Sequence, residues 1–522
     1  MRAYFDKVIG IRSVCGICSL ILCFSLFACG GGGGESNSNN PQAPAISNLG
    51  LSPSTANQYD DDGQKSVSCS FDFTDDVGDV STATVVIYDP QGVKIAEETV
   101  PLEGGEGITS GYVNLTLLAD TTSSGVFVFE FFVNDQKGLQ SNRISGNFTV
   151  HKCAAFVAGV RYPSNIDFMF LGDTFIGDLN GDGRNDVAVI EGANSCYRIL
   201  LYYQNSQGTF DAPQLLTTVF QLRGVAIADV NNDGLADLIV TGTSSAPLLT
   251  AEVAVFTQNP ATHALHSPVS YILPATQAAK LAVADLNNDG LMDIVTFAPN
   301  TANGSLYILF QGSGGSLNLQ TVVLSSPIAS GSELHVADMN HDGLNDIVVQ
   351  SGLLQLAVIK QSSAGVFNTT PDFYTVQTSY WSIFYSFALG DLNGDGRTDI
   401  AVADPGNGPK LNIFYQNGNG ILTGPTVLTH TINNHDEIDI ADMNSDGLND
   451  IVIFNSGNTV SILYQTDNHG FPYYKAYYLP TSSSGGTTVH QALSIGDVTG
   501  DGYADIVTSW SNEGIFVLRR LP

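Results

Sequence analysis

The chain has 522 residues, 51 acidic against 19 basic, and a formal net charge of −32 at pH 7. Nucleic acid is excluded as a partner class, because phosphates demand basic surfaces and no basic patch is present. Beyond the N-terminal region no run of about 20 apolar residues offers a membrane span, so any membrane contact has to run through something other than a helix of this chain.

Residues 1–28 have the pattern of a targeting signal. Arg2, Lys7 and Arg12 form a basic region, and Ser13 to Phe27 an apolar one too short for a comfortable span. The segment closes Leu26-Phe27-Ala28-Cys29, which resembles a bacterial lipobox with Cys29 as the lipidated first residue of the mature chain. An ordinary cleaved signal peptide is the alternative. Residues 29–45, beginning Gly30 to Gly34 and continuing in Ser and Asn, predict a flexible tether. The location that follows is the bacterial cell envelope, lipid-anchored, at the outer membrane or cell surface.

Residues 46–151 alternate apolar and polar over Ser66 to Phe73, Ala83 to Tyr88, Gly111 to Leu118, Val126 to Val133 and Gly146 to Val150. Turns at Asp89-Pro90-Gln91-Gly92 and Asp135-Gln136-Lys137-Gly138 break the pattern. About 105 residues of this kind predict an immunoglobulin-like β-sandwich, without the Trp and disulfide of antibody domains.

From residue 152 onward one nine-residue pattern, DxNxDGxxD, recurs seven times, at intervals of 51, 56, 53, 53, 51 and 55 residues. A period of that length is one supersecondary unit and points to a propeller or solenoid. Each copy is preceded by an apolar run and followed by an aliphatic strand, a strand ending in Gln (Gln204, Gln258, Gln311, Gln361, Gln416, Gln465) and a short outer strand. Four short strands per unit match a propeller blade. The seventh unit stops after its third strand, so Ala155 to Tyr162 is expected to supply the fourth and close the ring; an open solenoid is the alternative. The expected fold class is therefore all-β, a seven-bladed β-propeller over residues 152–522 preceded by the immunoglobulin-like sandwich.

The pattern has the donor set of a hard-cation loop. Carboxylates at positions 1, 5 and 9, an amide oxygen at 3 and the main-chain carbonyl at 7 can converge on one Ca²⁺, which takes 6–8 oxygens. These positions are Asp178, Asn180, Asp182, Arg184 and Asp186 in loop 1; Asp229, Asn231, Asp233, Leu235 and Asp237 in loop 2; and Asp285, Asn287, Asp289, Leu291 and Asp293 in loop 3. They continue as Asp338, Asn340, Asp342, Leu344 and Asp346 in loop 4, Asp391, Asn393, Asp395, Arg397 and Asp399 in loop 5, and Asp442, Asn444, Asp446, Leu448 and Asp450 in loop 6. Loop 7 has Asp497, Thr499, Asp501, Tyr503 and Asp505, and the hydroxyl in place of the amide predicts the weakest site. Up to seven Ca²⁺ are expected, and they would balance much of the negative charge, since the loops contribute 21 of the acidic residues. Metal-free Asp/Asn/Gly turns are the alternative reading.

These loops resemble the FG-GAP/VCBS repeat family, whose calcium-loop blades also occur in integrin α-subunit propellers. The resemblance covers about residues 155–522. It implies a calcium-bound propeller with metal ligands at positions 1, 3, 5 and 9 of each copy, and it implies little about activity.

Three cysteines lie outside the signal region, Cys69, Cys153 and Cys196, and in an oxidising compartment Cys153 with Cys196 is the expected bridge. No nucleophile elbow, HExxH, phosphate-binding glycine loop or Cys/His pair is present. Residues five to seven places before each loop should ring one mouth of the central channel: Asp173, Arg223, Lys280, Glu333, Tyr385, His435, Asp436, Glu437, His490 and Gln491, with Tyr380 and Trp381 on the longest loop leading in. That ring varies from blade to blade, as a binding face would; Arg223, Lys280, Glu333, Tyr380, Trp381, Glu437 and His490 are the candidate ligand residues. Two function classes remain: a surface-anchored binding or adhesion module for protein or glycan, and a polysaccharide-active lyase or hydrolase. The missing catalytic motif favours the first.

Overall fold

The computed structural model describes residues 9–11, 20–22, 24–28 and 42–521, apart from the segments 59–63, 103–106, 158, 165–170, 192–197, 219, 245–248, 299–303, 327, 329–332, 378–385, 404–409, 430–434, 456–458, 467, 480–491 and 511–513. The chain divides into two compact units, Met1–Ala154 and Ala155–Pro522. Among the described residues every regular element is a β-strand.

The first unit holds two main sheets. One is five-stranded, ordered Thr55–Asn57, Ile144–His151, Gly125–Asp135, Val80–Tyr88, Lys94–Pro101. The other orders Phe24–Ala28, Ser110–Asp120, Gln64–Thr74 and Ala45–Ser52. Alternation places Val67, Cys69, Phe71 and Phe73 of one sheet against Val85, Ile87, Phe129, Phe131 and Phe148 of the other in a single apolar core. The two expected turns close as read, with Gly92 N–H donating to Asp89 O at 2.9 Å and Gly138 N–H to Asp135 O at 3.1 Å.

Phe24–Ala28, inside the expected signal, lies antiparallel to Ser110–Asp120, from Phe24 opposite Leu115 to Ala28 opposite Gly111. An extended apolar run satisfies the open N–H and C=O groups of a sheet edge when it is present, and cleavage before Cys29 would return that edge to solvent. Cys29 itself and Cys196 lie outside the described residues, while Cys69 and Cys153 are buried.

The second unit is a seven-bladed propeller. Blades 1 to 6 each order four antiparallel strands, as in Leu281–Ala284, Asp293–Ala298, Ser305–Gln311 and Leu317–Val323 of blade 3; they are consecutive in all but blade 4, where the hairpin Gln361–Ser363 and Val366–Phe367 stands between the third strand, Gln355–Ile359, and the fourth, Asp372–Thr375. Blade 7 orders Leu493–Gly496, Asp505–Trp510, Gly514–Leu518 and then Val160–Tyr162, so the N-terminal strand closes the ring as the unfinished last repeat predicts. The pairing is short, Val160 opposite Val517 to Tyr162 opposite Ile515, and a bridge between Phe156 and Arg520 extends it. First strands of neighbouring blades touch in cyclic order, the seventh meeting the first. Between blades, second and third strands are apolar on both faces and build small separate cores, such as Val187, Val189, Leu200 and Tyr202 of blade 1 with Val498, Val507, Ile515 and Val517 of blade 7.

Candidate metal loops and the axial charge cluster

Each DxNxDGxxD segment links the first strand of a blade to the second, and its geometry follows from local hydrogen bonding. In loop 1, Asp178 Oδ1 accepts from the N–H groups of Asn180, Gly181 and Asp182 at 3.2, 2.6 and 3.2 Å, and Oδ2 accepts from Gly183 at 2.8 Å. Asn180 Oδ1 accepts from Asp182 N–H at 3.0 Å, and Asp182 Oδ1 from Arg184 N–H at 3.0 Å. Short polar side chains that capture the backbone two to five residues on are what wind such a loop. The turn requires φ of 79° at Gly183 and 78° to 86° at its six counterparts, a region that only glycine enters freely.

The position-9 aspartates are the buried member of each loop. Asp186, Asp237, Asp293, Asp346, Asp399, Asp450 and Asp505 are all 0 % exposed. Each carboxylate accepts from the position-2 N–H and from the N–H of a residue at, or one or two places beyond, the end of the third strand, as Asp186 does from Leu179 and Gln204 at 2.9 and 2.8 Å. Burial first, and then the neighbouring loop aspartates, push their carboxyls up: to about 7 for Asp186, Asp237, Asp346 and Asp399, about 6 for Asp293, and about 8 for Asp450. For Asp505 burial, with Asp501, raises it to about 6. A loop that holds an ionised carboxylate there needs positive charge.

The repeated Gln residues, given no role by sequence, are explained here. Their N–H groups hold the position-9 carboxylates, and some side chains reach the preceding blade: Gln258 Nε2 donates to Asp178 O at 2.8 Å and Gln416 Nε2 to Asp338 O at 3.2 Å. Where position 8 is Asn, that residue makes the same link, from Asn185 to Asp497 O at 2.8 Å, Asn345 to Asp285 O at 2.8 Å and Asn449 to Asp391 O at 3.2 Å. The loop of one blade is thus held by the next. Blade 7 has no such Gln, and Arg520 takes the position, its N–H donating to Asp505 at 2.8 Å.

The donor set suits a hard cation in type and spacing, and one detail supports the fit: Asn340 Oδ1, the position-3 amide oxygen of loop 4, is buried without a hydrogen-bond partner. In the arrangement described the carboxylates face backbone N–H groups. Among the described residues no three acidic, His or Cys side chains close on one point.

Of the candidate ligand ring, Tyr380, Trp381, Tyr385, His490 and Gln491 lie outside the described residues, and Arg223 is exposed. Lys280, Glu333 and Glu437 are brought together with Asp173 near the axis. Lys280 Nζ stands 2.9 Å from Asp173 Oδ2 and is ion-paired with Glu333, which is 6 % exposed. His335 Nε2 lies 3.7 Å from Glu333 Oε2. Burial works to raise the Glu333 carboxyl, but Lys280 and His335 outweigh it and hold it at about 2. Burial works against the charge on Lys280, which Asp173, Glu333 and Glu437 nevertheless hold well above the ordinary range. Glu437 is driven well above the usual carboxylate range by burial, with Glu333 and Asp173 adding to it, and burial raises Asp439 to about 6. His335 and Asp439 joined this cluster without a sequence signal, because nothing in their spacing says that strands of blades 4 and 6 converge.

Comparison with known proteins matches residues 178–240, 285–349, 391–453 and 442–508 to the FG-GAP-like repeat. Integrin alpha-3 of Mus musculus is 30 % identical over 162 residues, which are 28 % of this chain and 15 % of that protein. Integrin alpha-IIb of Homo sapiens is 32 % identical over 158 residues, 26 % of this chain and 15 % of its own length. Phosphatidylinositol-glycan-specific phospholipase D of Rattus norvegicus is 29 % identical over 202 residues, covering 31 % of this chain and 24 % of that protein. The chain thus spans less than a quarter of the length of these relatives.

Proposed function

Because the chain is an FG-GAP-repeat protein with a complete seven-bladed ring, we propose that it is a calcium-stabilised binding module, displayed on the bacterial envelope through a lipid on Cys29, that captures a protein or glycan ligand. In this reading positions 1, 3, 5, 7 and 9 of each loop hold Ca²⁺, and the ion supplies the positive charge that buried, like-charged aspartates need. The immunoglobulin-like sandwich serves as a spacer above the tether.

The observation that carries the binding role is the contrast between loops and axis. Seven loops repeat one chemistry, whereas the first strands bring Asp173, Lys280, Glu333, His335, Glu437 and Asp439 into a cluster that, among the described residues, occurs once. Exposed or half-buried charge on a rigid frame is a recognition surface by default, although fold alone never assigns a ligand. The test is a glycan and protein array probed with the purified, lipid-free protein in Ca²⁺ and in chelator. Specific capture that is lost on Glu437→Gln supports the axial face; no capture in any arm rejects it.

One observation favours the enzymatic alternative. In one cluster the Glu333 carboxyl is held low by Lys280 and His335 while burial drives that of Glu437 well above the usual range, and carboxyls pushed apart in this way are suited to acid and base roles on a polysaccharide. Turnover of a glycan by the unmodified protein, abolished by Glu437→Gln, would select this reading over simple binding.

A further inference from the structure

The seven loops are not equivalent in charge. In loops 1 and 5 position 7 is arginine, and its guanidinium turns back on the position-5 carboxylate: Arg184 pairs with Asp182, and Arg397 Nη1 stands 3.0 Å from Asp395 Oδ2. In loop 7 the same partner comes from the end of the third strand, Arg519 Nη2 lying 3.3 Å from Asp501 Oδ2. Loops 2, 3, 4 and 6 carry leucine at position 7, and among the described residues no Lys or Arg is ion-paired with their carboxylates. Arg520 does approach loop 6, but its Nη2 rests on the Ser445 hydroxyl at 2.9 Å.

Loops 1 and 5 differ in a second way. Their position 4 is glycine, Gly181 and Gly394, at φ of 68° and 70°, where loops 2, 3, 4 and 6 have Asn232, Asn288, His341 and Ser445. Against each glycine the next blade lays an imidazole, His263 on Gly181 and His469 on Gly394, and a Cβ on either glycine would collide with that ring. The same two loops therefore have both an internal counter-charge and a ring covering their outer turn.

We propose that the loops form two classes of cation site: loops 2, 3, 4 and 6 bind Ca²⁺ more tightly, and loops 1, 5 and 7 bind it more weakly and keep their shape better without it. The inference rests on the calcium reading above. Ligand charge count tunes calcium affinity, and the guanidinium lowers a loop's net charge from three negatives to two. An arriving ion must share the position-5 carboxylate with the guanidinium or displace it, and both oppose binding. The opposing effect, that Arg pre-sets the loop, is the smaller one, because an ion pair this exposed stabilises little. One unit charge beside a divalent cation in a wet site changes affinity by about tenfold.

Equilibrium dialysis of radioactive Ca²⁺ against the full chain should resolve about four tighter and three weaker sites, with the double variant Arg184→Leu, Arg397→Leu moving two sites to the tighter class. Seven equal sites, or an unchanged distribution in the variant, would overturn the two-class inference and leave calcium binding intact. No bound Ca²⁺ at all would instead remove the calcium reading and the inference with it. If the variant does not fold, hydrogen exchange of the unmodified protein in chelator decides: slower exchange at loops 1, 5 and 7 than at 2, 3, 4 and 6 supports the proposal, and equal exchange refutes it.

Discussion

The two units of this chain are both all-β, yet they are held together differently. In residues 42–154 two sheets share one core rich in phenylalanine, and its cohesion is apolar burial that needs no ion. In the propeller neighbouring blades share smaller cores, such as that between blades 1 and 7, and the polar work is done by loops that carry three carboxylates in nine residues and bury one of them. Two ways of stabilising a sheet protein therefore sit in one chain, and they should respond to different conditions.

The largest effect expected is from chelation. At about 10 mM Ca²⁺ and affinities of roughly 10⁻⁴–10⁻³ M, each filled loop contributes on the order of 1–3 kcal/mol, and several loops together should raise the propeller's melting temperature by more than about 10 °C. Differential scanning calorimetry should show one transition moving with Ca²⁺ and the other staying in place. If both move together, the contrast between the units fails.

Single substitutions should divide along the same line. Phe129, 1 % exposed in the core of the first unit, should cost about 3–5 kcal/mol on replacement by Ala, equally in Ca²⁺ and in chelator. Asp293→Ala leaves the N–H groups of Leu286 and Gln311 without their acceptor, at about 1–3 kcal/mol each at most, and it should cost more in Ca²⁺, where the unmodified loop gains from the ion. Chemical denaturation in both buffers measures the difference.

The pH response should also separate the units. A position-9 carboxyl raised to about 7, as at Asp186, keeps its proton in the folded chain at pH values where the unfolded chain has lost it. Between about pH 4 and 7 the native state then binds more protons, so in chelator the propeller loses stability as pH rises through that window. Calcium requires the ionised form and should abolish or reverse the slope. Thermal melts from pH 5 to 8 in both buffers check this, and a propeller transition flat in chelator would contradict it.

The smallest structural effect is expected at the anchor. Cys29→Ser should leave both transitions unchanged while releasing the protein from membranes, as fractionation after a high-salt wash would show. Retention on the membrane would mean a second anchor.

Much of the frame was legible in the residues. The 51- to 56-residue spacing of the loops, the glycine at position 6 and the unfinished last repeat led to seven blades and to closure by residues near Tyr162, because each is a local requirement of backbone geometry or pairing. The strands Ala45–Ser52 and Lys94–Pro101 were missed, since half-exposed edge strands have a weak alternation signal. The strand Phe24–Ala28 was missed because an apolar run reads equally as a signal.

By itself, then, the sequence determined the repeat, the donor set of each loop and the acidic character, all properties of residue identity and spacing along the chain. Only the tertiary structure decided which charges meet. Lys280 finds Asp173 and Glu333 from two other blades, Arg519 finds Asp501 from the far end of a strand, and Gln258 reaches back to Asp178 across a blade boundary. Those distances depend on how strands pair and blades pack, and a charge's pKa, partner and affinity for an ion depend on what stands within a few ångströms of it in space.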